Sequence, residues 1–120
     1  MRHLVLDTET TGLSTTQGHR IIEIGAVEMV NLSATGRSLH LYINPEREID
    51  VGAQDIHGLS SEFLADKPIF ADILTKFLDF IKDDLLVIHN APFDIGFLNA
   101  ELSRCGHPPL SMERVIDTLP

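Results

Sequence analysis

Asp7 and Glu9 stand two residues apart at the end of the apolar run Leu4-Val5-Leu6. If the chain stays extended through them, side chains at i and i+2 project to one face, and the two carboxylates share a site. Two unit negative charges about 4 Å apart repel by roughly 4 kcal/mol at an effective dielectric near 20, a large fraction of a small domain's stability. A shared proton would relieve that repulsion. Hard divalent cations such as Mg²⁺ or Mn²⁺, which prefer oxygen ligands, suit an acidic, cysteine-poor site better. Taken alone, the pair also fits a solvated strand end followed by an ordinary turn at Thr10-Thr11-Gly12. A third acid, Asp94, closes the segment His89-Asn90-Ala91-Pro92-Phe93-Asp94. Pro92 suits the first position of a helix, which puts Asp94 in the first turn, beside the end of the preceding strand. By itself Asp94 could simply complement the helix dipole, worth about 0.3–1 kcal/mol, with Asn90 a cap, His89 a strand-end residue and Phe93 part of the core.

Hydropathy patterns outline the elements that must carry these acids. Residues 3–6, 21–30 and 38–43 read as strands, with Gly36-Arg37 turning the second into the third. From Pro68 to Ile81 the period changes: Ile69, Ile73, Phe77 and Ile81 recur every four residues, an amphipathic helix with Asp66 as cap and Pro68 in its first turn. Leu85-Leu86-Val87-Ile88 is short enough for a strand buried on both faces. A second helix is expected over residues 92–104, stopped at Gly106 and Pro108-Pro109, and Val115-Ile116 opens a last strand. The order β-β-β-α-β-α-β predicts an α/β or α+β mixed sheet with helices packed on it.

At 120 residues with 43% apolar content, the chain is the size of one domain with one core. Nine Lys/Arg against eighteen Asp/Glu give a net charge of −9, so the surface as a whole should repel polyanions, which argues against a basic-groove DNA binder. A nucleic-acid enzyme whose positive contacts come from bound metal ions is not excluded, because divalent cations reverse the local field. Cys105 is the only cysteine, which rules out an internal disulfide or a cysteine-based zinc site and fits a reducing compartment. No apolar run approaches the roughly 20 residues of a membrane helix, and the N-terminus lacks a signal-peptide pattern. A cytoplasmic protein with no membrane partner is the expectation.

Together, Val5-Leu6-Asp7-Thr8-Glu9-Thr10-Thr11-Gly12 and His89-Asn90-Ala91-Pro92-Phe93-Asp94 resemble the first and second motifs of the DEDD superfamily of 3′–5′ exonucleases. The likeness extends to Ile21-Ile22-Glu23-Ile24-Gly25-Ala26-Val27, Ile56-His57-Gly58-Leu59 and Val115-Ile116-Asp117-Thr118. These segments look most like the DnaQ-like branch, the proofreading subunits of bacterial DNA polymerase III. The resemblance implies a ribonuclease H-like fold, a five-stranded mixed sheet with flanking helices and the active site at the end of the first strand. It implies two divalent metal ions, Mg²⁺ or Mn²⁺, with Asp7 bridging both, Glu9 on one and Asp94 on the other. These three would be the catalytic acids. Thr8, Thr10 and Gly12 would hold the terminal nucleotide together with Asp7 and Glu9, His57 would contact its sugar or base, and Asn90, Ala91 and Phe93 would wall its pocket. Gly52 stands where such relatives can carry a carboxylate facing the terminal sugar, which leaves only backbone there. The implied partners are a DNA 3′ end, single-stranded or frayed, the polymerase catalytic subunit and other replicase core subunits.

The family's third motif, H-x-A-x-x-D, supplies a general-base histidine and a fourth acid, and it is expected several tens of residues beyond Asp117. Residues 1–120 thus correspond to the N-terminal part of a single exonuclease domain, with its C-terminal helices missing. His89 and His107 lack the motif's spacing. Losing a general base forfeits about 10²–10⁴ in rate, so these residues alone are expected to hydrolyse DNA slowly or not at all. One flank of the sheet should be bare and apolar, favouring self-association or a partner. Two rival readings remain at this level: an RNA-trimming relative such as oligoribonuclease or ribonuclease T, and a non-catalytic binding module with the same fold.

Overall fold

In the computed structural model, which describes residues 2–119, Arg2–Thr10 forms β1, and the alternation of its side chains divides it between two environments. Leu4, Leu6, Thr8 and Thr10 are buried, whereas Val5 and Asp7 are exposed and Glu9 is half-buried. β2 (Ile21–Val30) and β3 (Ser33–Tyr42) follow, then α1 (Val51–His57), the single-turn α2 (Ser61–Leu64) and α3 (Phe70–Ile81). β4 (Leu85–Ile88), α4 (Ala91–Arg104) and β5 (Val115–Asp117) complete the described chain. The five strands form one sheet in the order β3-β2-β1-β4-β5. β2 is antiparallel to β1 and β3, while β4 is parallel to β1 and β5. This is the mixed α/β architecture with flanking helices that the element order implied.

α3 and α4 cover one face of the sheet. Phe70, Ile73, Phe77 and Ile81 of α3 and Ile95, Leu98 and Leu102 of α4 join Leu4, Leu6, Ile24, Ala26, Leu86 and Ile88 in a continuous core. Each such side chain contributes about 1.5–3 kcal/mol by leaving water. A smaller cluster of Ile22, Ile49 and Leu64 anchors the segment that carries α1 and α2. On the other face Val5, Val27 and Ile116 remain 40%, 43% and 42% exposed, the apolar flank expected from the sequence.

Three local readings need correction. The β2–β3 turn is made by Asn31 and Leu32, both at positive φ (50° and 68°), and Gly36-Arg37 falls inside β3 where the register shifts. A leucine in the left-handed region carries no turn signal. α3 begins at Phe70 after Ile69 at the cap position, so Pro68 precedes the helix and Asp66 pairs with Lys67 (3.4 Å) instead of capping. α1 and α2 were not anticipated: α1 buries none of its residues, so no apolar period marks it.

Candidate active site

β1 and β4 run side by side in parallel, and their carboxyl ends open on the same edge of the sheet. The chain leaves β1 toward β2 on one side and leaves β4 into α4 on the other, the kind of switch point where open α/β sheets take ligands. Only His89 and Asn90 separate β4 from α4, so the first turn of α4 arrives beside the end of β1. Pro92 lies in that turn. Asn90 stands at the cap position at φ 62° and makes no side-chain cap bond. The cap comes from outside the helix: Asp117 Oδ1 accepts the backbone N–H groups of Asn90 (3.0 Å) and Leu119 (3.0 Å). These bonds, Leu119's foremost, hold the Asp117 carboxyl below its ordinary range, with backbone bonding from Ala91 and Asn90 in support. Asp117 thereby fixes where α4 starts, and with it Asp94. Asp117 belongs to the segment Val115-Ile116-Asp117-Thr118 that carries the resemblance, and its partner 27 residues away leaves no local signal of this role.

Asp94 lies on the buried stripe of α4 with Ala91, Ile95, Leu98 and Leu102. It is 5% exposed, and its Oδ2 has no hydrogen-bond partner. Burial pushes its pKa up to about 6; the nearby Thr8 hydroxyl, which stops short of hydrogen-bond geometry, pulls the other way, and the charges of Asp7 and Glu9 raise it further. Burial likewise raises Glu9, helped by Asp7 and by Glu23, its cross-strand partner on β2. Asp7, Glu9 and Asp94 thus act on one another electrostatically. They do not form a preassembled cage: among the described residues, no three His, Cys, Asp or Glu side chains are grouped to hold a metal ion. Three like charges without a cation repel, which opposes closure. The donor set itself is all-oxygen and hard, and the unpaired, buried Oδ2 of Asp94 is the atom a cation would satisfy.

Beside the acids, a cavity of about 320 Å³ is lined by Thr8, Glu9, Thr10, Gly12 and Leu13 from β1 and its loop, by Asp50, Gly52, Ala53, Ile56 and His57 from α1 and its cap, and by Phe93 from α4. His57 Nδ1 accepts the Leu59 N–H (2.9 Å), so the ring proton sits on Nε2, and that buried donor is unpartnered. Gly52 is exposed on the first turn of α1 and contributes backbone alone. Phe93 packs on Phe97 at 4.8 Å while still lining the cavity. Asn90 and Ala91 are not in its wall: Ala91 is fully buried in the core and Asn90 is the exposed cap residue. Leu13 and Ile56, 83% and 82% exposed on opposite walls, were missed. Apolar residues left in water beside a motif are the signal that could have found them.

An α/β sheet of this order with acids at its parallel strand ends has the fold of known exonucleases. It matches the metal-free form of the Escherichia coli ExoI–ssDNA complex with a TM-score of 0.86 at 18% identity, over 98% of this chain and 28% of that one. The chain belongs to the exonuclease family (RNase_T), whose pattern matches residues 4–120. It is 58% identical over 122 aligned positions to the DNA polymerase III subunit epsilon of Rickettsia felis, covering 99% of this chain and 53% of that protein. To the protein of the same name from Escherichia coli K12 it is 52% identical over 106 positions, covering 85% of this chain and 44% of the other. The chain therefore spans about half the length of the relatives it matches. Exonucleases of this family work with divalent metal ions. No described helix is long and apolar enough to cross a membrane.

Proposed function

We propose that this chain is the catalytic front of a 3′–5′ proofreading exonuclease of bacterial DNA polymerase III, cytoplasmic, acting on a DNA 3′ end held by the polymerase catalytic subunit and other replicase core subunits. The observation that carries the chemistry is Asp94, a buried carboxylate with an unpaired oxygen beside Asp7 and Glu9. The identity to the two epsilon subunits favours proofreading of DNA over trimming of RNA. Asp7, Glu9 and Asp94 would hold two divalent ions, Mg²⁺ or Mn²⁺. Such a pair supplies an activated water and a stabilised leaving oxygen for cleavage of a phosphodiester.

The protein's own residues do the rest. The cavity accepts the terminal nucleotide, whose base meets the apolar surfaces of Leu13, Ala53, Ile56 and Phe93. The Nε2–H of His57 donates to its sugar or phosphate, and the backbone at Thr8, Thr10 and Gly12 lies along its other side. At Gly52 the sugar meets no side chain. Neither His89, which bonds Thr118 (3.2 Å), nor His107, which bonds the Pro108 carbonyl (2.7 Å), lines the cavity. On this reading residues 1–120 are the N-terminal part of the exonuclease domain, and the general base comes from chain that follows them.

The test is release of nucleoside 5′-monophosphates from matched DNA and RNA 3′ ends with Mg²⁺ or Mn²⁺, by residues 1–120 and by the protein extended to the length of its relatives. The extended protein should cleave DNA and the shorter one should be at least about 100-fold slower. Full activity from residues 1–120 would place the base within them, and a preference for RNA would move the protein to the RNA-trimming branch. Mn²⁺ calorimetry on Asp7→Ala discriminates against a non-catalytic module, which would bind no ion in either form. Sedimentation should find residues 1–120 self-associating through the Val5–Val27–Ile116 face.

A further inference from the structure

The walls of the nucleotide cavity come from two distant stretches of chain: the end of β1 with its loop through Leu13, and α1 with the Asp50 that precedes it. A buried histidine outside the cavity lining joins them. His19, its side chain 4% exposed, has Nε2 3.3 Å from Asp50 Oδ2 and Nδ1 2.8 Å from the Thr11 hydroxyl. Thr11 is itself fully buried and spoken for on every side: its N–H donates to the Arg20 carbonyl (2.8 Å), its hydroxyl accepts the Arg20 N–H (3.0 Å), and its carbonyl accepts the Asp50 N–H (2.9 Å).

The protons follow from these partners. The Thr11 hydroxyl, which accepts the Arg20 N–H, donates to Nδ1, so the ring hydrogen sits on Nε2, and Nε2 faces Asp50 Oδ2 at 3.3 Å as an electrostatic contact outside hydrogen-bond geometry. Asp50 occupies the cap position of α1 but makes no cap bond to its own helix; its carboxylate faces His19 instead. The ring also lies flat against Gly12, where an added Cβ would stand 2.4 Å from His19 Cε1. A buried imidazole hydrogen-bonded at Nδ1, with Nε2 against a carboxylate, cannot move aside as a flexible side chain would.

We propose that His19 is a positioning residue that fixes the spacing of the two cavity walls and so sets how tightly the terminal nucleotide is held, without touching the reacting groups. This rests on the exonuclease reading above. Losing the clasp should loosen substrate binding while leaving the acids Asp7, Glu9 and Asp94 in place.

The experiment uses the full-length protein and three readouts: steady-state release of mononucleotides from a DNA 3′ end, calorimetric binding of thymidine 5′-monophosphate with Mn²⁺ present, and binding of Mn²⁺ alone. His19→Ala should raise KM and the Kd for thymidine 5′-monophosphate about tenfold, the size expected for losing one buried hydrogen bond, the one to Thr11. kcat and Mn²⁺ affinity should stay within about threefold. His19→Gln, whose amide N–H can still reach Asp50, should recover most of the loss. Melting of the metal-free protein reads the contact without any activity: Gly12→Ala should lower Tm clearly in the native background and much less in a His19→Ala background. Unchanged KM and Kd in His19→Ala overturn the proposal, as does a loss confined to kcat, or strictly additive melting shifts. A native protein that binds neither Mn²⁺ nor thymidine 5′-monophosphate instead overturns the exonuclease reading itself, and the melting comparison then reports on the clasp alone.

Discussion

Asp94 and Glu101 lie two helical turns apart on the same buried stripe of α4, 5% and 2% exposed, and the surroundings treat them in opposite ways. Glu101 receives a two-pronged grip from Arg20, Nε at 2.9 Å and Nη2 at 2.6 Å, and also accepts the Ile21 N–H at 3.3 Å. That pairing is the main cause of Arg20's raised pKa. It fastens the start of β2 to the last turn of α4. Among the described residues no cationic side chain pairs with Asp94, its Oδ2 is without a hydrogen-bond partner, and two further acids lie nearby. A buried charge is tolerated when paired and costs stability when it is not. The contrast separates an acid that is paired within the fold from one that is left unpaired, the one proposed above to meet a metal ion.

That contrast can be broken or sharpened by substitution. The largest effect should be Glu101→Ala, which leaves the half-buried Arg20 with only the exposed Glu46 (3.9 Å) as partner and should cost about 3 kcal/mol in urea unfolding. A loss below about 1 kcal/mol would show the pair to be dispensable. Asp94→Ala should do the reverse: mononucleotide release by the full-length protein should fall by more than the about 10–100-fold typical of losing an outer-shell partner of a metal, while the metal-free fold stays intact. Retained release would remove Asp94 from the chemistry.

The pH dependence carries a definite sign. Because the folded carboxyl of Asp94 sits near 6, above its ordinary 3.8, the metal-free native state binds more protons than the unfolded chain between those values. Stability should therefore fall as pH rises through that window, and the penalty should be complete above it. Asp94→Asn should remove the decline and stabilise the metal-free protein at pH 7.5 by about 1–2 kcal/mol, less than the full shift because water screens part of it. Parallel denaturation profiles for the two proteins from pH 4 to 8 would contradict this. The smallest effect belongs to Arg20→Lys, which keeps the charge but loses the planar fork and should cost about 1 kcal/mol.

The amino-acid order alone made much of this legible. Asp7 and Glu9 share a face because strand side chains alternate, and Ile73, Phe77 and Ile81 mark α3 because their period matches a helix pressed against a sheet. Pro92 and the run Leu85-Leu86-Val87-Ile88 announced a strand feeding a helix, and so put Asp94 in the first turn. All of these signals are local, written within one or two turns of chain. α1 escaped because none of its residues is buried, and the Asn31-Leu32 turn escaped because leucine is an unexpected occupant of positive φ.

What tertiary structure alone decided is which distant groups meet. Asp117 holds a helix cap residue 27 positions earlier, and Arg20 grips Glu101 across 81 residues. His19 reaches Asp50, and Glu9 faces Glu23 across the strand pair. No short-range pattern encodes such pairs, because each arises only when a sheet register and a helix docking angle are set together. The sequence determined the kinds of groups available and their local direction. Packing determined that one buried acid would be answered from within the protein and another left with an unpartnered oxygen, because only the folded chain fixes which charges share a low-dielectric space.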